Sequence, residues 1–276
     1  MSSLEVILWI LLISLLLRLV QRTTFADKNA RLKTNGFQVL DCLSEGDVNH
    51  LKGLWDANET EQMKTFIHGH PTVLEHIQTH LGPHYSFQDY IFLIEKSKIH
   101  TCHRDNNSKA FNENQKYPSY TIIFYLEPMN RCLDVIDKSS KSQWGVYLSD
   151  PTKSIKCNPG NAILFDANLI HSGSMNDKEN HRRIQMKLTH ADDMEAISFF
   201  QGYNKKLDEQ NNNPMFVNKL QKHFSCQVPI ISDLFKNDAV KPIEKVFSKI
   251  FYGNENFYNL KDVGTEKNNL KDVGTK

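Results

Sequence analysis

At 276 residues, with 39% hydrophobic, 10% aromatic and 24% charged side chains, the chain carries enough apolar material for one buried core and is not an intrinsically disordered polypeptide. Thirty-three basic residues against 32 acidic ones leave a formal charge of +1 with no long basic block, which excludes the electrostatic footprint of a nucleic-acid binder. Five cysteines without a C-x-x-C pair suggest neither a disulfide framework nor a zinc knuckle, so free thiols in a reducing compartment are expected.

In chain order, the first element is apolar. Val6 to Leu17 reads VILWILLISLLL, and Leu19 and Val20 extend it past Arg18. A spanning helix needs about 20 such residues, and an arginine stem at the edge can snorkel to make up the length. No basic segment precedes the run and no small-x-small cleavage site follows, so residues 1–22 are expected to be an uncleaved single-pass membrane anchor, with a cleaved signal peptide as the rival. Arg18, Arg22, Lys28, Arg31 and Lys33 follow the run and only Glu5 precedes it. The positive-inside tendency therefore places the downstream domain in the cytoplasm. The sequon Asn106-Asn107-Ser108 points the same way, because a glycan there would obstruct the metal motif described below.

Residues 23–34 read as a linker. Gly36 to Leu40 alternates like a short strand, and Ser44 with Asp47 forms a capping-box pattern ahead of Val48, Leu51, Leu54 and Trp55 at helical spacing. A second helical stretch over Glu61–Leu81 is broken at His70-Pro71. From Ser86 onward come short runs rich in β-branched and aromatic residues: Phe87–Ile94, Tyr120–Leu126, Leu133–Ile136, Trp144–Leu148, Ala162–Phe165 and Arg182–Leu188. The fold class this predicts is mainly β with flanking helices, a sandwich or barrel over residues 35–200. Residues 201–255 read as a helical appendage. Residues 256–276, with the tandem copies Asn259–Thr265 and Asn269–Thr275, read as a disordered polar tail, because two copies cannot stack into a solenoid.

The chemistry concentrates in the β region. His103 and Asp105, two apart on an extended segment, present an imidazole and a carboxylate to one side. With a distant His171 they make a 2-His-1-carboxylate set, which suits non-haem Fe(II) and leaves coordination positions open. The dipeptide spacing alone is uninformative, since His190-Ala191-Asp192 repeats it. That copy has only His223 after it and no arginine beyond Arg183. The segment Pro159–Asp166 is a Pro-Gly turn into an apolar strand, and His171 follows with small residues after it. Eleven residues further stands Arg182, opening the strand Arg182–Leu188. Alternation groups Arg182 with Ile184, Met186 and Leu188, so Arg182 is expected to face the core and need an anionic partner. A dicarboxylate cosubstrate offers a bidentate one.

These blocks, from Gly36-Phe37-Gln38-Val39-Leu40 through Cys102–Asp105, Tyr125-Leu126-Glu127 and Pro159–Asp166 to His171-Ser172-Gly173-Ser174 and the following arginine, resemble the phytanoyl-CoA dioxygenase-like branch of the Fe(II)/2-oxoglutarate oxygenases. The resemblance implies a double-stranded β-helix (jelly roll) core with iron at one mouth, and Arg182 on the distal carboxylate of 2-oxoglutarate. It implies an Fe(II)-, 2-oxoglutarate- and O₂-dependent dioxygenase that hydroxylates its substrate, with no catalytic residue beyond the metal ligands. Two departures stand out. Val135–Lys141 replaces the Pro-Gly-Ser-His stretch frequent in relatives, and Ile123 falls near the position of an aromatic cosubstrate contact.

Each residue also has a plain structural role open to it: His103 and His171 as half-buried strand residues, Asp105 as a turn carboxylate, Arg182 as a surface cation. Their joint order on compatible strand faces favours the functional role. His76 and His80 have the i, i+4 spacing of helical zinc sites but lack the His-Glu-x-x-His pattern. Two other functions stay open at this stage. One is a non-enzymatic membrane-anchored protein on a degenerate oxygenase fold. The other is a histone-demethylase-like oxygenase, which an arginine in place of a cosubstrate lysine disfavours. The substrate expected is a small molecule, a lipid or a membrane-proximal protein.

Overall fold

The computed structural model describes residues 3–20, 24–95, 99–105, 115–141, 147, 151–175, 181–197, 201–229, 241–258 and 260–263. Helix α1 (Ser3–Val20), the short strand β1 (Thr24–Phe25) and the one-turn helix α2 (Leu32–Asn35) lead into β2 (Phe37–Asp41). Three helices follow, α3 (Glu45–Asp56), α4 (Thr60–His68) and α5 (Pro71–Leu81). The capping box forms as the sequence predicts: Asp47 N–H donates to Ser44 Oγ and Ser44 N–H donates to the Asp47 carboxylate. Pro71 stands at the start of α5, where its missing N–H costs nothing, and its ring ends α4 before it.

The strands are β3 (Tyr85–Phe87), β4 (Tyr90–Ile94), β5 (Tyr120–Tyr125), β6 (Met129–Ile136), β7 (Thr152–Cys157), β8 (Asn161–Asp166), β9 (His171–Gly173), β10 (Arg183–His190), β11 (Tyr203–Leu207) and β12 (Lys261–Asp262). Helices α6 (Met215–Gln227) and α7 (Lys241–Tyr252) stand between the last two strands. The major sheet has the order β12-β11-β4-β10-β5-β8-β2, with β3 also paired to β10, and the minor sheet has the order β1-β7-β6-β9. Their facing sides share one core, in which Ile123, Tyr125, Ile163 and Phe165 of the major sheet meet Leu133, Val135, Ile155 and Cys157 of the minor one. Two mainly antiparallel sheets packed face to face in this way are a double-stranded β-helix.

The outer side of the major sheet is buried as well. Ile91, Leu93, Ile122, Phe124, Leu164, Ile184, Met186 and Leu188 pack against Val48, Leu51, Met63, Ile67, Val73 and Ile77 of α3, α4 and α5. Both faces are therefore dry. On the inner side, Tyr90, Phe92 and Ile94 join Leu207 and the C-terminal residues Phe247, Tyr252 and Phe257.

The appendage expected to be helical thus includes a strand, β11, that runs parallel to β4 in the major sheet. The tail expected to be disordered from 256 holds buried Phe257 and pairs β12 with β11. Most of the tandem repeat and the strand expected over Trp144–Leu148, Tyr147 excepted, lie outside the described residues.

Two further expectations are corrected. The cysteines are not all free, since Cys102 and Cys226 form a disulfide across 124 residues and tie the segment before His103 to α6; Cys42, Cys132 and Cys157 remain thiols. The membrane anchor is also overturned, because no helix among the described residues is long and apolar enough to cross a membrane. Eighteen helical residues rise only about 27 Å, short of the roughly 30 Å hydrocarbon layer. In place of spanning, α1 docks on the domain. Arg18 is 2% exposed and donates to the Tyr147 carbonyl at 2.7 Å, while Gln227 Nε2 of α6 donates to Ser14 Oγ at 2.6 Å. The single-pass placement and the cytoplasmic orientation built on it no longer follow.

Candidate metal centre

The segment carrying His103 and Asp105 is pinned to the lip of the minor sheet by backbone bonds. His103 N–H and His171 N–H each donate to the other's carbonyl at 2.9 Å, and Asp105 N–H donates to Ala167 O at 2.8 Å. Gly173 is small because Ile99 passes over it: a Cβ there would lie 3.1 Å from the Ile99 carbonyl oxygen. Gly173 therefore serves the approach of a neighbouring backbone. The two imidazoles are oriented alike. Nδ1 of His103 lies 2.8 Å from Thr101 O and Nδ1 of His171 lies 3.0 Å from Leu169 O, which fixes both rings with Nε2 facing the interior.

Asp105 completes the group. Its Oδ1 lies 3.6 Å from His103 Nε2 and 3.5 Å from His171 Nε2, and the three donor atoms all fall within 4.8 Å of one another. The side chains are 4%, 8% and 4% exposed in chain order. Two imidazole nitrogens and one carboxylate oxygen converging at this spacing fit a divalent transition metal with open positions.

Strand β10 runs past this cluster and places its side chains opposite to expectation. Ile184, Met186 and Leu188 belong to the core under the helices, so Arg183, Gln185 and Lys187 are the residues that face inward. Gln185 Nε2 donates to Asp105 Oδ2 at 3.2 Å, and Lys187 Nζ lies 3.1 Å from the same oxygen. Arg182 precedes the strand at its rim and pairs with Asp56 at 2.9 Å and Glu127 at 3.0 Å. The reading that Arg182 points into the core is corrected. Apolar neighbours marked the face covered by helices, not the face that turns to Asp105.

Arg183 is 7% exposed. Burial lowers its pKa, against the nearby Tyr125 and Cys132, which raise it. Tyr125 stands opposite Arg183 in the β5–β10 register, and its fully buried hydroxyl has no hydrogen-bond partner among the described residues. Burial, then Cys132 and Cys157, push its pKa well up, so the hydroxyl stays a donor. A buried guanidinium beside a buried phenol could hold a carboxylate. Sequence reasoning missed Arg183, Gln185, Lys187, Thr121 and Tyr125. The available signal was polar alternation in a strand that the expected flanking helices had to cover on its apolar side.

The second His-x-Asp copy, His190-Ala191-Asp192, serves the fold instead. His190 stacks on Tyr117 with ring centroids 3.7 Å apart and caps the turn at Asp192, and it joins no group of three ligands among the described residues. His76 and His80 stack on each other at 6.0 Å, with His76 Nε2 3.2 Å from Asp41 O, and likewise gather no third ligand among the described residues.

Comparison with known proteins finds no matching family model and no matching curated protein. Among solved structures the chain is similar to HygX of Streptomyces hygroscopicus with nickel and 2-oxoglutarate bound, at 11% identity and TM-score 0.48 over 58% of this chain and 84% of that one. It is also similar to the non-heme alpha-ketoglutarate-dependent epimerase SnoN from nogalamycin biosynthesis (14%, TM-score 0.47, 58% and 81%). A third is EvdO2 of Micromonospora carbonacea var. aurantiaca (12%, TM-score 0.44, 62% and 94%). At these identities the likeness bears on neither activity nor substrate.

Proposed function

We propose that the chain is an Fe(II)- and 2-oxoglutarate-dependent oxygenase in which His103, Asp105 and His171 hold the metal and Arg183, with Tyr125, grips the distal carboxylate of 2-oxoglutarate. The observation that carries this reading is the convergence of three buried ligands and a buried arginine on one interior surface. With Fe(II), 2-oxoglutarate and O₂ bound, the cofactor supplies the oxidation of a substrate C–H bond to C–OH, with succinate and CO₂ as the other products. The chain's own residues bind and orient. The imidazoles are held through Nδ1 by backbone carbonyls, so Nε2 of each would be the atom offered to the metal without reorganisation. Arg183 and Tyr125 set the direction in which the cosubstrate enters, and the facing apolar residues Ile123, Val135, Phe165 and Leu169 exclude water around it. Metal ligands exposed by only 4–8% favour a slim organic molecule as substrate over the flank of a folded protein.

The test is anaerobic addition of Fe(II) and then 2-oxoglutarate, followed by admission of O₂. A metal-to-ligand absorbance band on the first step and succinate release on the second are expected. Absence of the band in the folded protein would support the non-enzymatic alternative.

A further inference from the structure

Beyond the ligands and the cosubstrate grip, the interior holds a second cation for which that reading has no use. Lys187 is 3% exposed. Its Nζ lies 3.1 Å from Asp105 Oδ2, 3.4 Å from the Asp105 carbonyl oxygen and 2.9 Å from Thr121 Oγ1.

The two oxygens of Asp105 thus have separate surroundings. Oδ1 faces the imidazole nitrogens, whereas Oδ2 is met by Thr121 Oγ1 at 2.9 Å, Gln185 Nε2 at 3.2 Å and Lys187 Nζ. An ammonium only donates, so Thr121 must accept from Lys187 and turn its single proton to Oδ2. The lysine therefore sets the polarity of the whole network. It commits Oδ2 to protein donors and leaves Oδ1 as the one oxygen for a metal.

Lys187 also changes the charge of the pocket. With Arg183 it sets a second basic group against the Asp105 carboxylate before any divalent ion enters. A site of that charge resists a bare divalent cation and favours a dianion beside it.

We infer that Lys187 is a positioning residue that holds Asp105 as a one-oxygen ligand and makes tight metal binding depend on a dianion in the same pocket. The inference rests on the metal site proposed above. It makes a signature that a purely structural lysine does not: removing the charge strengthens metal binding and weakens dianion binding together.

The experiment titrates the full chain with Ni(II) by calorimetry, without and with saturating 2-oxoglutarate, in wild type, Lys187→Met and Lys187→Arg. For Lys187→Met, Ni(II) alone is expected to bind about tenfold or more tighter, since a single and a double charge a few ångströms apart repel by that much even at the dielectric constant of water. Binding of 2-oxoglutarate to the Ni(II)-loaded variant is expected to weaken by about tenfold, by the same reasoning with opposite sign. Lys187→Arg keeps the charge and should stay near wild type on both counts. Unchanged Ni(II) affinity in Lys187→Met, or loss of both affinities together, overturns the inference. If Lys187→Met does not fold, Lys187→Gln, which is neutral but keeps a donor for Oδ2, carries the same two expectations. A wild type that binds neither Ni(II) nor 2-oxoglutarate defeats the proposed function itself, a result distinct from a failure at Lys187.

Discussion

Replacing Arg183 and Arg182 separately with alanine sets two adjacent guanidinium groups against each other. Arg183 is 7% exposed, lies on the inner face of β10 and stands across from the buried hydroxyl of Tyr125. If it meets the distal carboxylate there, Arg183→Ala removes a charge-assisted, two-pronged contact worth about 1.5–3 kcal/mol, or roughly ten- to two-hundredfold in 2-oxoglutarate affinity. Arg182 has its nitrogens on Asp56, whose side chain is 71% exposed, and on Glu127, which keeps Lys52 at 3.5 Å as a second partner. Its loss should cost at most about 1 kcal/mol of stability and change affinity by less than about threefold. The conservative variant Arg183→Lys should recover only part of the loss, because a point charge cannot make both parallel bonds. The assay is anaerobic titration of the Fe(II)-loaded protein with 2-oxoglutarate, following the metal-to-ligand band, with far-UV circular dichroism to establish that each variant is folded. A larger loss for Arg182→Ala than for Arg183→Ala would refute the face assignment of β10 and the cosubstrate pocket drawn from it.

Three other expectations follow from particular contacts. His171→Ala and Asp105→Ala should each abolish tight Ni(II) binding in calorimetry with 2-oxoglutarate present, whereas His190→Ala, which loses its stacking on Tyr117 and its cap on Asp192 N–H, should bind Ni(II) like wild type. Reduction of the Cys102–Cys226 bridge, which closes 124 residues of chain, should cost about 5 kcal/mol by the loop-entropy relation, read as a drop in Tm on adding a reductant; an unchanged Tm would mean that the reduced chain is held by other contacts. Asp134 is fully buried and bound by Lys222, Ser154 and Ser174. Burial pushes its carboxyl up, but these donors, Lys222 foremost, more than offset it and hold it below the ordinary 3.8. A carboxylate with a lowered folded-state pKa stabilises fully at neutral pH and loses that contribution as pH falls through and below about 4. Lys222→Met, by stranding the buried charge, should cost about 3–5 kcal/mol at pH 7 and move the acid-unfolding midpoint upward; an unmoved midpoint would show that the pair does not control acid stability.

How much of this was legible beforehand differs from feature to feature. Short-range patterns determined the helices: the Ser44–Asp47 capping box, the break at His70-Pro71, and the periodicity of Val48, Leu51 and Trp55 act within one or two turns, and each appears where the sequence predicts it. The ligand candidates were legible for a similar reason, since His103 and Asp105 are held in register by two residues of extended chain and His171 follows a marked Pro-Gly turn and strand. Gly160 in that turn has φ of +87° and a Cβ there would lie 2.3 Å from the Leu43 carbonyl oxygen, so the backbone itself demands glycine at that point.

What only the tertiary structure decided is which side of each element is covered and by what. Alternation divided β10 into two sets of side chains without saying which set faced the chemistry. In a sheet with one wet face the apolar set marks the interior; here the apolar set is taken by α3, α4 and α5, and the polar set, with Arg183, Gln185 and Lys187, turns to the side of Asp105. The same holds for α1, whose composition reads as a spanning segment until Arg18 and Ser14 are seen bonded to Tyr147 and Gln227. It holds for Cys102 and Cys226, which no spacing rule joins across 124 residues. Periodicity is a property of neighbours along the chain, whereas burial on a given face is a property of whatever folds against it, and that partner is remote in sequence.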